Sequence, residues 1–134
     1  MSSKIKLNIL TPMEKFYEGD VSEVNTSTTS GGIGILPQHS PFIGLLIPTV
    51  TKLKFDDGSE KSLFTSTGIL QVTKEEIKII VDDAEWPEDI DIDRAEKAKE
   101  RAEERLHKND PNIDARRAEI ALQRAIARMK TKGM

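Results

Sequence analysis

A chain of 134 residues, 37% hydrophobic and 32% charged, is near the size of one domain and fits a soluble protein with a modest core and much solvated surface. Its net charge of −3 argues against a nucleic-acid partner, which would demand a basic face, and the absence of cysteine excludes disulfides and thiolate metal sites. No apolar segment follows Met-Ser-Ser-Lys as in a signal peptide, and no stretch approaches the ~20 apolar residues that span a bilayer, so the chain is expected to be cytosolic, or to meet a membrane only through partners.

Ile5, Leu7 and Ile9 alternate with Lys4, Lys6 and Asn8, the period of a half-buried strand. Thr11-Pro12 breaks it, and Phe16-Tyr17 opens a second short strand. Glu18-Gly19-Asp20 reads as a turn into residues 21–28, which are rich in β-branched side chains. Glycine and proline punctuate residues 31–41, yet Ile33, Ile35 and Leu36 predict an ordered loop with its apolar side chains packed inward. Residues 50–55 alternate again. Asp56-Asp57-Gly58 then marks a hairpin, because Asp-Gly tolerates the positive φ of tight turns, and residues 61–66 return as the partner. Residues 69–72 and 76–81 form a further pair across Thr73-Lys74-Glu75. This spacing of short strands predicts an antiparallel β-sandwich domain over residues 1–84. With 4% aromatic residues, its core must be built mainly from Ile, Leu and Val.

Residues 85–134 are dense in charge and alanine, and predict an antiparallel two-helix hairpin as the second domain. Pro87 disfavours helix at Trp86, so Ala84-Glu85-Trp86-Pro87-Glu88 reads as a hinge or linker. Asp91 can cap a first helix running from about Ile92 to about His107, with Ile92, Ala95, Ala98, Ala102 and Leu106 as a narrow apolar stripe. Its other faces alternate Glu with Lys or Arg, and Glu96 and Glu100 stand close enough to Lys97 and Arg101 to pair. Asn109-Asp110-Pro111-Asn112 breaks it, with Pro111 suited to the first turn of a second helix that reaches about Lys130. Ala118, Ala121, Leu122, Ala125, Ile126 and Met129 form the apolar face of that helix. An alanine seam buries little area, so the hairpin is expected to hold its folded form by only a few kcal/mol. A ligand binding only that form would add about 2.7 kcal/mol at a hundredfold excess over its dissociation constant.

The chemistry on offer is limited. Gly31 to Gly34 lacks the Gly-Lys-Ser/Thr of a P-loop, and no serine sits in a nucleophile elbow. His39 and His107 stand in no metal-ligand spacing, and Asp82-Asp83, if on a strand, point to opposite faces. No catalytic constellation emerges. The arginines carry more. Arg94 stands in the first turn of its helix, near the positive end of the dipole, where either a bound anion or the neighbouring Asp89 and Asp93 would account for it. Arg101, about two turns on, returns to nearly the same face. Arg124 and Arg128 are one turn apart on the second helix. In an antiparallel hairpin these four can converge on one polyanion, since guanidinium groups offer paired planar donors to phosphate. Glu85 and Asp91 would then accept from a base amino group or a ribose hydroxyl. A solvated basic face meeting an acidic protein surface accounts for the same spacing.

These residues resemble a known family, the epsilon subunit of the bacterial rotary ATP synthase. The likeness covers Thr11-Pro12 with Phe16-Tyr17, Gly34-Ile35-Leu36-Pro37-Gln38-His39-Ser40-Pro41, and Ser66-Thr67-Gly68-Ile69-Leu70-Gln71-Val72. Most specific is Ile90-Asp91-Ile92-Asp93-Arg94-Ala95, which looks like that family's ATP-binding motif. Trp86-Pro87 departs from it, a stiff and bulky element where flexible polar residues are expected. The resemblance implies a non-catalytic subunit at the cytoplasmic face of the bacterial cell membrane, in a proton- or sodium-translocating complex. Its sandwich would dock on the gamma subunit and the c-ring. Its hairpin would be compact with ATP bound as a regulatory ligand, and would extend toward the catalytic alpha/beta head to inhibit hydrolysis. The implied ATP contacts are Glu85, Asp91, Arg94, Ala95, Arg101, Arg124 and Arg128. Arg116, Arg117 and Arg124 would meet an acidic segment of the beta subunit. A purely structural rotor-coupling role, with no nucleotide-dependent switch, is the alternative.

Overall fold

In the computed structural model, residues 3–108 and 110–133 are described. Met1 and Ser2 of the leader segment, Asn109 of the interhelical break and the final Met134 lie outside the described residues. The N-terminal alternation becomes β1 (Ile5–Leu10), with Leu7 and Ile9 fully buried. β2 (Lys15–Val21) returns antiparallel to it, and Glu18-Gly19-Asp20 lies inside that strand rather than in a turn. The ladder with β1 supplies partners for the backbone here, and Glu18 is ion-paired to Lys6 and Lys15, so pairing overrides local turn propensity.

β3 (Glu23–Thr28) and β4 (Gly31–Ile35) form a hairpin where a loop was expected. Ile35 is fully buried and Ile33 half-buried, but Leu36 is 54% exposed, so the inward packing holds for only part of that segment. Three glycines leave no side chains to reveal the period. β5 (Phe42–Leu46) has no counterpart among the expected strands, because Pro41 and Gly44 interrupt its pattern. β6 (Thr49–Lys54) and β7 (Glu60–Thr65) pair across the Asp-Gly hairpin, where Gly58 has φ of +87°. β8 (Gly68–Val72) and β9 (Glu76–Val81) pair antiparallel, as their spacing predicts.

The strands join into one ladder that closes on a single aliphatic core as a β-sandwich. One pairing departs from the antiparallel expectation: β1 runs parallel to β9, setting Leu7 beside Ile77 and Ile9 beside Ile79. Spatial neighbours distant in sequence decide that direction, and hairpin signals do not report it. Ile, Leu and Val fill the core, as the scarcity of aromatics required; Phe16, Tyr17 and Trp86 pack at its margin. The hydroxyls of Thr26, Thr51 and Thr65, all buried, bond one another at 2.9 and 2.7 Å.

The junction is docked, not free. β10 (Ala84–Glu85) pairs with β7, and Trp86 stacks on Phe16 with ring centroids 5.0 Å apart. A 3-10 turn (Pro87–Asp89) leads to α1 (Ile92–His107), capped by Asp91 as expected. α2 (Ala115–Lys132) begins later than Pro111. Asp110 and Asp114 draw the intervening amides into side-chain bonds, and Asp114 takes the N–H groups of Arg116 and Arg117 at 3.1 and 3.2 Å as the true cap. Ala95, Ala102, Ala118 and Ala125 are buried between the helices. The other side of α2 lies on β6 and β7, where Ala127 meets Phe64 and Ile90 in a second, smaller core.

Gly68 is where β8 passes closest to β9: a Cβ there would stand 2.0 Å from the Ile80 carbonyl oxygen and 2.7 Å from Val81 Cα. Backbone cannot give way as a side chain can. Gly68→Ala should therefore destabilise the sandwich by about 1–3 kcal/mol, read as a lower urea midpoint in equilibrium unfolding.

Candidate functional site

Three elements with different reasons for their positions meet at one cleft. β10 is fixed by its ladder to β7, the first turn of α1 by the Asp91 cap, and α2 by its packing on Phe64. Between them lies a cavity of about 390 Å³, within the range of small-molecule sites. Arg94 and Arg101 from α1 and Arg128 from α2 line it, with Ala95 and Ala98 as its apolar floor. Four carboxylates share the lining: Asp83, Glu85, Asp89 and Asp91.

Six of the seven residues expected to form one site therefore surround one cavity: Glu85, Asp91, Arg94, Ala95, Arg101 and Arg128. Arg124 does not line it. Its Nε donates to Ser66 Oγ at 2.8 Å, and its Nη2 reaches Thr67 Oγ1 and Asp82 Oδ2 at 3.4 and 3.5 Å, so it is turned to the edge of the sandwich. A separate concavity near the interhelical turn holds Arg124 together with Arg105 and Arg117. Arg116 and Arg117 are exposed at the start of α2, away from the cleft.

The three guanidiniums in the cleft differ in state. Arg94 and Arg101 are exposed and make no ion pair among the described residues. Arg128 is committed: its Nε donates to Glu85 Oε1, its Nη2 donates to Asp83 Oδ2 at 2.8 Å, and its Cζ lies 4.5 Å from the centroid of the buried Phe64 ring. That ring face attracts the cation and fixes the plane of the fork. Glu85, expected to accept from a ligand, is thus already occupied by Arg128. Asp91 lines the cavity, and its Oδ1 accepts the Arg94 N–H at 3.1 Å. Asp83 and Asp89 line the cavity too, although the sequence placed Asp89 only beside Arg94 and Asp83 only beside Asp82. Asp82 and Asp83 are adjacent, and an acidic pair at the end of β9 could have been matched to the guanidiniums one helical turn apart on α2, Arg124 and Arg128. His39 Nδ1 lies 2.7 Å from the Ser40 carbonyl oxygen and the ring tilts on Phe42, in a structural setting.

The architecture is a β-sandwich carrying a docked helical hairpin, with a guanidinium-lined cleft where the two meet. Comparison gives the family. Residues 4–87 match the family model of the ATP synthase delta/epsilon chain beta-sandwich domain, and residues 88–133 that of its long alpha-helix domain. The ATP synthase epsilon chain of Clostridium novyi is 52% identical over 130 residues, covering 97% of this chain and 98% of that one. That of Clostridium acetobutylicum is 56% identical over 106 residues, covering 79% and 80%. Among solved structures, a chain of the Euglena gracilis mitochondrial ATP synthase superposes with a TM-score of 0.84 at 22% identity, over 95% of this chain and 80% of its own. One from the Tetrahymena thermophila mitochondrial ATP synthase gives 0.62 at 17% identity, over 96% of each. At those identities the structural likeness is one of fold. The chain belongs to the ATP synthase epsilon chain family.

The Asp91 cap is testable apart from any ligand. Asp91→Ala should cost about 1 kcal/mol at the start of α1 and speed amide exchange of Arg94 about fivefold, with exchange in β1 unchanged.

Proposed function

We propose that this chain is the stalk subunit that couples a gamma subunit to a c-ring, and that its hairpin is an ATP-sensing inhibitor of hydrolysis. The observation that carries the nucleotide reading is the cleft: Arg94, Arg101 and Arg128 line one cavity although they come from two helices. Arg94 and Arg101 would grip phosphate oxygens, whereas Asp91 and Glu85 would accept from the ribose or the base. Ala95 is 3% exposed, and its methyl allows close approach of the ligand to α1. A nucleotide bridging α1 and α2 would favour the compact hairpin, because it binds both helices only when they lie together.

Inhibition requires α2 to leave the sandwich. That motion breaks the Arg124 and Arg128 contacts and uncovers Phe64 and Ile90. Arg116 and Arg117, exposed at the start of α2, would then meet an acidic segment of the catalytic head, as would the freed Arg124. For docking on gamma, the outer faces of β5, β8 and β9 offer Ile43, Leu45, Ile69 and Ile80, which are 72%, 60%, 44% and 41% exposed. Leu45, Ile69 and Ile80 stand side by side across the three strands, an apolar row suited to a protein interface. In this reading the subunit sits at the cytoplasmic face of the membrane, attached through the complex; no helix among the described residues is long and apolar enough to cross a membrane.

Calorimetry of the full chain with ATP and with ADP tests the site. Arg94→Ala should weaken ATP binding about tenfold or more, the loss of one charge-assisted phosphate contact; an unchanged constant removes Arg94 from the site. On the apolar row, Ile69→Asp should abolish co-elution with gamma while leaving ATP binding intact. Deleting the residues after Glu88 should raise the ATPase rate of the assembled complex. An unchanged rate would leave only the structural coupling role.

A further inference from the structure

Asp82 and Asp83 follow β9, and each carboxylate meets a different guanidinium of α2. Asp82 Oδ2 accepts from Thr67 Oγ1 at 2.7 Å and lies 3.5 Å from Arg124 Nη2. Asp83 Oδ2 accepts from Arg128 Nη2 at 2.8 Å. Both guanidiniums that α2 turns toward the sandwich are therefore met by this acidic pair, with no ligand involved.

We infer that Asp82 and Asp83 are a ligand-independent latch holding α2 on the sandwich, and that Asp83 competes with a bound polyphosphate for Arg128 and so sets the affinity of the cleft. A phosphate grips a guanidinium best through two adjacent N–H donors lying in one plane. On Arg128, Nε is taken by Glu85, and Asp83 takes one of the two hydrogens of Nη2, the nitrogen that both edges of the fork share. A phosphate that approaches Nη2 along either edge therefore meets the Asp83 carboxylate beside it, and the two like charges compete for the same guanidinium. Asp83 is the partner that yields: its side chain is 48% exposed, against 26% for both Glu85 and Arg128, so water compensates its release. The charge around the cavity agrees, since four carboxylates face three guanidiniums before any anion enters. Arg124 stands outside the cavity, which makes Asp82 a docking residue only. The competition rests on the nucleotide reading above; the latch does not.

The test uses the full chain, with Asp82→Asn, Asp83→Asn and, as a control for lost charge elsewhere on α2, Glu119→Gln. Without nucleotide, amide exchange over residues 125–131 should quicken about two- to fivefold in D82N and in D83N, the range of a partly exposed ion pair, and stay at the parent rate in E119Q. In calorimetry, D83N should bind ATP about two- to fivefold tighter than the parent, while D82N and E119Q bind as the parent does. Exchange at the parent rate in both variants overturns the latch. Faster exchange with no gain in ATP affinity in D83N overturns the competition alone. Equal gains in D83N and E119Q overturn it too, by reducing it to net charge. A parent chain that binds no ATP overturns the nucleotide reading and the competition together, and the exchange rates still decide the latch.

Discussion

The position of the C-terminal half depends on one guanidinium. Arg128 stands over the buried ring of Phe64, its Cζ 4.5 Å from the ring centroid, and is held from the sandwich side by Glu85 and Asp83. The arrangement joins an apolar contact to charge-assisted bonds on a group with little exposure, so each reinforces the other. Remove it, and α2 is left on the sheet by its packing on β6 and β7 around Ala127 and by the more exposed Arg124 contacts. The cleft exists because Arg128 brings α2 to β10 and leaves space against the first turn of α1.

This explains how a helix pair with an alanine seam can be folded without being independent. Alanine lets helices approach closely but removes little apolar area from water, so the contact between α1 and α2 is weak for its length. α2 compensates by having two apolar sides, one of them resting on the sandwich through Ala127. The outcome is a hairpin whose stability is divided between a poor seam and a separable docking surface. Such a division would let the hairpin separate without unfolding the sandwich. The sandwich, closed on an aliphatic core and tied by the parallel pairing of β1 with β9, does not share that weakness.

The linker is part of the same arrangement. Trp86-Pro87 looks from sequence like a stiff hinge, and the structure shows the reason for the bulk: the indole stacks on Phe16, meets the edge of Tyr17 and lies under the Lys61 ammonium. Glu85 is held in place from both ends as a result, by its ladder to Phe64 and by the anchored ring that follows it.

Much was decided locally and was therefore legible in the sequence. The alternations in β1, β6 and β9, the Asp-Gly hairpin, the Asp91 cap and the extent of α1 all follow from patterns within a few residues, because strand period, turn angles and capping bonds act at that range. The spacing of the arginines also foretold that guanidiniums from two helices would meet, and three of the four do. Other features were set by partners far along the chain. Pairing with β1 drew Glu18-Gly19-Asp20 into a strand, and pairing with β3 did the same for the glycines of β4. The side of α2 that carries Ala127, the departure of Arg124 to Ser66 and the capture of Arg128 by Asp83 depend on where the sandwich stands relative to the hairpin. Sequence period determines which residues share a face of an element. Only tertiary packing determines what that face meets, since a contact between distant residues leaves no periodic trace in either segment.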